Sequence, residues 1–322
     1  MAKNMKNITA EQEEPAGASL KARRAGCYVF LVLISFICLF WFYVLFINAT
    51  RSNSQLARGF TALPSTCLGT NLHNLFSGTL PVISGLCNSL VVASFTALLA
   101  TYFSTMTAYA IHAYDFKLRK AAFTFILAVM MIPTQVTALG FIQLMTKMNL
   151  MDNFIPLIVP AMASPAVFFY MKQYMDSVLS KSLIEAARID GSGELHTFNS
   201  IVLPLMKPAV AVQAIFSFVS SWNNYFTPAL ILHKDKMKTL PILIAQLRAA
   251  DWLKFDMGQV YAMIAFSIFP VILVYLFLSK NIVGGVMMGL KLLGVTDALF
   301  GIGKIVLIAG AALLLVGSAR GA

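Results

Sequence analysis

Long apolar runs separated by short polar stretches dominate this chain. Residues 27–47 form an unbroken apolar run, and further runs cover 85–111, 121–145, 154–174, 209–232 and 261–278. Each is close to the ~20 residues that a helix needs to cross a bilayer core. The pattern predicts an all-α, polytopic membrane protein with six transmembrane helices. The run at 27–47 is too long for a signal-peptide core and has no small-residue cleavage site, so it reads as an uncleaved first span. The second run is rich in Ser, Thr and Ala, residues that let membrane helices approach closely. Pro133 interrupts the third run and predicts a kink. Pro156, Pro160 and Pro165 predict irregular backbone in the fourth, which is tolerated in lipid only if buried or lining a cavity.

Composition agrees with this class. Of 322 residues, 59% are hydrophobic and only 11% charged, well under the ~25% of a soluble domain. The net charge of +11 would suggest nucleic acid in a soluble protein. Here the basic residues flank the spans, and the positive-inside rule accounts for them without a nucleic-acid partner. With the amino terminus in the cytoplasm, roughly 14 Lys and Arg fall inside and 8 outside. The loop at 233–259, with five basic residues, counts against that orientation. Cys27, Cys38, Cys67 and Cys87 have no metal-ligand spacing and read as free thiols. Residues 1–24 read as a disordered cytoplasmic tail, 25–293 as the transmembrane domain, and 294–322 as an apolar tail.

One cytoplasmic stretch breaks the apolar pattern. Glu185, Arg188, Asp190 and Glu194 lie within ten positions, a charged island that must sit in water. Ser182 to Ile189 is rich in strong helix formers, and Ser182 with Glu185 has the spacing of a capping box. Gly191 and Gly193 predict the stop, since glycine is favoured at the left-handed position past a helix end. A second helical piece is expected from about Glu194 to Leu203, before Pro204 and Pro208 start the next span. A surface loop of this kind, with Ala186 and Ala187 as a small-residue face, suits a tightly packed partner.

The wording Glu185-Ala186-Ala187, then Gly191, then Ile201, Leu203 and Pro204 at fixed spacing, resembles the EAA loop of ABC importer permeases. The longer strings EAARIDG and IVLPLMKPA resemble the MalG-like carbohydrate permeases of binding-protein-dependent transport. Ser221-Trp222-Asn223-Asn224-Tyr225-Phe226 resembles that family's Trp-Asn segment. The resemblance covers most of 25–293. It implies a type I importer permease fold with a coupling loop at 176–207 that docks on a separate ATPase. Glu185, Ala186, Ala187, Arg188, Asp190, Gly191, Ile201, Leu203 and Pro204 would carry that coupling. The implied partners are a second permease in a heterodimer, ATPase subunits and an extracytoplasmic binding protein, in a bacterial-type cell membrane. ATP would be bound by the partners and no cofactor by this chain.

The absences fit that reading. No Asp, Glu, Lys or Arg falls in the core of the six runs, so a proton relay is not expected. Gly303-Lys304 is followed by Ile305, which breaks the Walker A pattern. No catalytic constellation and no metal-ligand set is present, so no enzymatic activity is expected. A stand-alone channel or facilitator is the alternative. For a substrate path, Trp222, Asn223, Asn224 and Tyr225 combine stacking faces with amide donors and acceptors, a mix suited to sugars. The same types also serve as interfacial anchors and helix–helix glue. Ala298 to Gly317 is a seventh apolar run, either an extra span or an inner tail; the inner tail is preferred, because six spans already complete the core.

Overall fold

The computed structural model describes residues 16–249 and 256–292. The elements are helices α1 (Ala16–Ala49), α2 (Asn53–Ala57), α3 (Leu68–Ser77), α4 (Val82–Ala113), α5 (Arg119–Met130) and α6 (Thr134–Lys147). They continue with α7 (Ile155–Ile158), a 3₁₀ segment (Val159–Ala163), α8 (Pro165–Val178), α9 (Lys181–Ile189) and α10 (Glu194–Thr197). A π-helical turn (Phe198–Val202), α11 (Leu203–Leu205), α12 (Lys207–Trp222), α13 (Phe226–Ile231), α14 (Leu240–Arg248) and α15 (Met257–Leu292) complete the order. A further 3₁₀ turn (Asp235–Met237) joins α13 to α14. The described residues contain no strand, so the all-α expectation holds.

The central element is α4. Gly85, Ser89, Ala93, Ala97, Thr101, Thr105 and Tyr109 recur every four residues along it, and all are buried. Six of the seven are small, so neighbouring backbones approach closely. Toward its amino-terminal end α4 meets α14, where the amide of Leu240 donates to Ser89 Oγ at 2.8 Å. In its middle, Ala93 and Ala97 share an apolar cluster with Ile215, Phe218 and Trp222 of α12 and with Met263 and Val271 of α15. Toward its carboxyl-terminal end, Ala108 and Tyr109 join Phe168, Met171 and Met175 of α8. Two buried Thr hydroxyls on α4 spend their hydrogen bonds on their own helix: Thr101 donates to the Ala97 carbonyl at 2.7 Å and Thr105 to that of Thr101 at 2.6 Å. No partner is needed to satisfy them in an apolar setting. α1 packs on α15 and leaves Val29, Phe30, Val32, Leu33 and Phe36 exposed, a face made for lipid.

Four helical stretches are long and apolar enough to cross a membrane: 25–49, 82–113, 155–178 and 257–279. The third expected span is broken rather than kinked. α5 and α6 meet at 96° across Pro133, whose ring and missing N–H end the first segment. The fourth contains the expected irregularity, a 3₁₀ segment between Pro156 and Pro165. The fifth ends earlier than expected. α12 stops at Trp222, and Asn224 Oδ1 accepts from the amide of Thr227 at 3.3 Å to start α13. An Asn side chain that caps locally competes with helix continuation.

Other expectations are corrected. The helix of the first span begins at Ala16, so residues 16–24 are helical rather than part of a disordered tail. The stretch 48–82 between the first two spans holds α2, α3 and a buried Arg51 that donates to the carbonyl of Gly59 at 2.9 Å. The stretch 233–259 contributes α14, whose Leu240 and Leu243 are fully buried. The apolar run at 298–317 lies outside the described residues.

Gly258, at the start of α15, faces the Arg51 carbonyl and the Asn71 side-chain amide; a Cβ there would lie 2.7 and 2.8 Å from them. At Gly85 a Cβ would meet only the tip of the Leu243 side chain, at 2.4 Å. Alanine at Gly258 is therefore expected to cost about 1–3 kcal/mol, the usual range for overpacking against atoms that cannot turn away. Gly85→Ala should cost less, because Leu243 has other rotamers. Thermal unfolding of the two detergent-purified variants checks this, and a larger loss at Gly85 would contradict it.

Candidate functional site

The charged island forms a compact loop at the end of the bundle where α4 finishes. Its entry is fastened by α4. His112 places Nδ1 2.7 Å from Asp176 Oδ1 and Nε2 3.0 Å from the Leu179 carbonyl. Lys172, on α8, lies 2.5 Å from both Asp176 oxygens. Leu179 is buried and extended, which stops α8 and lets α9 begin at Lys181 with Ser180 at the cap. The expected capping box is absent. Ser182 falls inside the first turn, and its hydroxyl donates to that of Ser180 at 3.1 Å.

Helix α9 buries Ile184 and Ala187 against the body. Glu185, Ala186, Arg188 and Ile189 remain exposed, Ile189 to 86%. The helix ends as expected at Gly191. Its φ is +78°; the amide of Gly191 donates to the Arg188 carbonyl at 3.0 Å and that of Ser192 to the Ala187 carbonyl at 2.9 Å. This is the Schellman arrangement, which requires a left-handed residue after the cap. A Cβ on Gly191 would meet nothing within 4 Å, so the reason for glycine is the backbone alone. Gly193 has an extended conformation and starts α10.

Glu194 ties the loop together. Arg188 Nε donates to its Oε1 at 2.8 Å, and the Tyr109 hydroxyl donates to its Oε2 at 3.0 Å. The Arg188 guanidinium also lies over the Tyr114 ring, 5.1 Å from its centre. Tyr114, followed by Arg188 and Tyr109, holds the Glu194 carboxyl below the usual range, against a partial loss of solvent. It is therefore an anion at neutral pH. Beyond it, Thr197, Phe198, Val202 and Met206 are buried, with Phe198 5.7 Å from the Tyr109 ring. Leu203 donates its amide to Phe198 across a π turn. The wider turn relieves the clash of the Pro204 ring with the carbonyl four residues before it. Ile201 and Leu203 are half-buried and Pro204 is exposed.

The seat beneath the loop is fully buried Met171, Met175 and Met206. The face turned away from the seat carries Leu183, Ile189, Leu195 and Leu205, all exposed, beside Ala186. Glu185 and Asp190 make no ion pair or side-chain hydrogen bond among the described residues. A half-apolar surface with unspent carboxylates is suited to receiving another protein.

The four residues considered for a substrate path are divided. Trp222 is 3% exposed and stacked on Phe218 at 5.7 Å, so its ring is committed to the core. Asn223 is half-buried and Tyr225 exposed. Asn224 lines an open cavity of about 800 Å³, together with Ser221 and Thr227. Other walls are Thr134, Thr137, Gly140 and Phe141 of α6, and Pro156, Leu157, Pro160 and Ala161. Tyr109, Tyr114 and the buried methionines were not singled out from the sequence. A tyrosine pair flanking the inner end of the second span was the one available signal.

Comparison with known proteins decides the family. Residues 100–287 match the model described as "binding-protein-dependent transport system inner membrane component". The chain belongs to this family of ABC importer permeases. It is 33% identical over 272 residues, 83% of this chain and 95% of the relative, to the arabinooligosaccharides transport system permease protein AraQ of Bacillus subtilis. It is 30% identical over 265 residues, 80% and 94%, to the sn-glycerol-3-phosphate transport system permease protein UgpE of Yersinia pestis. A crystal structure of a bacterial ABC transporter that imports the acidic polysaccharide alginate has a chain of the same fold, with a TM-score of 0.68 at 23% identity. That match covers 81% of this chain and 97% of the other. The matched region contains the loop, the broken third span and all of the cavity lining except Val92.

Replacing Glu194 by Ala removes the acceptor shared by Arg188 and Tyr109. An exposed ion pair and a hydrogen bond together contribute about 1 kcal/mol. Amide hydrogen exchange across 188–197 should then quicken by about fivefold, while α4 and α8 stay protected. Unchanged exchange in the loop would show that Glu194 does not hold it.

Proposed function

We propose that this chain is one of two different permease subunits of an ATP-driven saccharide importer, and that α9 to α11 transmit the work of the ATPases to the bundle. The observation that carries this reading is the loop itself. α9 is braced on α4 and α8 by its buried side, while Glu185, Ala186 and Ile189 are left to a partner. Glu185 and Ala186 form the exposed docking face, Ala187 seats the helix, and Arg188 orients it through Glu194. Asp190 and Gly191 make the turn, and Ile201, Leu203 and Pro204 lead back into α12.

In this reading ATP is bound by the partner subunits and the chain performs no chemistry of its own. The amino terminus lies in the cytoplasm with the loop, and six spans cross the membrane, the third and fifth broken. The outer helices α2, α3 and α14 face the binding protein that delivers cargo. A saccharide is the cargo class because the relatives named above move saccharides or a polyol phosphate, and because hydroxyl and amide groups line the cavity.

Two substitutions test the loop in the reconstituted complex. Valine at Gly191 meets a φ of +78°, which costs an L-residue about 1–2 kcal/mol and more when β-branched. Gly191→Val is expected to insert and assemble normally, yet lose most cargo-stimulated ATP hydrolysis. Full stimulation would remove the coupling role from this turn. Glu185→Lys reverses an exposed charge without touching the core, and should weaken co-purification with the ATPase by tenfold or more if a basic group receives it. Undiminished co-purification would place the contact elsewhere on α9.

A further inference from the structure

The cavity beside Asn224 forms where three interruptions of helical backbone meet. These are the break at Pro133, the 3₁₀ segment after Pro156, and the end of α12 at Trp222. Irregular backbone at membrane depth is tolerated where it lines a cavity, so the breaks and the cavity belong to one device. Its polar side chains are Thr134, Thr137, Ser221, Asn224 and Thr227, and everything else that lines it is apolar or glycine. None of the lining residues is acidic, basic or histidine.

This composition discriminates by charge. Hydroxyls donate and accept equally, and a primary amide does both. Thr137 already donates to the Thr134 carbonyl at 3.0 Å, which leaves its oxygen free to accept. Asn224 spends its oxygen on Thr227 and keeps its amine as a donor. Such groups match the hydroxyl edges of a sugar, and Phe141 and Phe226 offer apolar walls for its ring faces. A phosphate or carboxylate entering the same space would lose its water without meeting a counter-charge, which is strongly unfavourable.

We propose that this wall of the path takes uncharged, hydroxyl-rich cargo, a neutral saccharide, and disfavours phosphorylated or uronate-bearing cargo. The proposal rests on the importer reading above and separates this chain from relatives whose named cargo is anionic. A volume of about 800 Å³ is within the usual range for small-ligand sites.

The test uses cysteine accessibility in the assembled transporter in proteoliposomes. Thr137→Cys and Ser221→Cys are each made in a background without Cys27, Cys38, Cys67 and Cys87. Each thiol is titrated with neutral methyl methanethiosulfonate and with its anionic sulfonatoethyl analogue, and rates are divided by those for a free thiol in solution. Both positions should favour the neutral reagent by at least tenfold after that correction. Equal corrected rates, or faster anionic labelling, would overturn the proposal. So would thiols that neither reagent reaches until the protein is denatured, because the second permease would then fill the space. ATP-dependent uptake of arabinotriose, sn-glycerol 3-phosphate and an alginate-derived trisaccharide is measured alongside. Loss of all ATP dependence would remove the importer reading. Robust ATP-driven uptake of either anion would leave that reading intact and remove only the charge selectivity.

Discussion

Close approach along one stripe of α4 is the constraint on which the rest of this fold depends. Gly85, Ser89, Ala93, Ala97, Thr101, Thr105 and Tyr109 repeat every four residues, whereas an α-helix turns once in 3.6. The stripe therefore winds around the helix by about 40° per step. Its amino-terminal end faces α14, its middle faces α12 and its carboxyl-terminal end faces α8. A single helix thus serves three partners in succession, and each contact depends on side chains small enough to let a backbone in. In lipid there is no hydrophobic effect to pull helices together, so such van der Waals contact supplies much of the association energy.

The charged loop inherits its position from that helix. Tyr109 ends the small-residue stripe and reaches Glu194; His112, less than one turn on, reaches Asp176 and Leu179. The loop is consequently held at both its entry and its middle by the last turns of α4. Any tilt of α4 against α8 changes the place of α9, and the reverse holds equally, since coupling between two sites is reciprocal. The cavity stands on the other side of the same helix, with Val92 among its lining.

Much of this was readable from local pattern. The turn at Gly191 was legible because a left-handed residue is a backbone demand that only a few residue types meet. The broken third span was legible from Pro133, although a kink was expected and a 96° bend is found. What was not legible depended on distant contacts. Ser182 looked like a helix cap, but burial of Leu179 moved the start of α9 and left Ser182 inside it. Trp222 looked equally suited to a cargo face or to the core, and only the position of Phe218 and the neighbouring helices settles it in the core. The link from Tyr109 to Glu194 spans 85 positions, and no periodicity announces such a pair. Helix α3 was hidden because its sequence is polar enough to read as loop, and α14 because its nine apolar-rich residues are too few to span and lie between basic ones.

The three methionines under the loop have a mechanical consequence. Met171, Met175 and Met206 are unbranched, with more freedom than Leu or Ile to adopt new shapes at little energetic penalty. A seat of branched side chains would fit one setting of α9 and leave gaps in any other, with the loss of contact that gaps bring. A thioether seat would refill were the helix to rock, and so suits a compliant bearing better than a weld. The rigid parts of the device are the backbone turn at Gly191 and the Arg188–Glu194–Tyr109 clasp, and the cushion beneath them allows that rigid piece to move as one body.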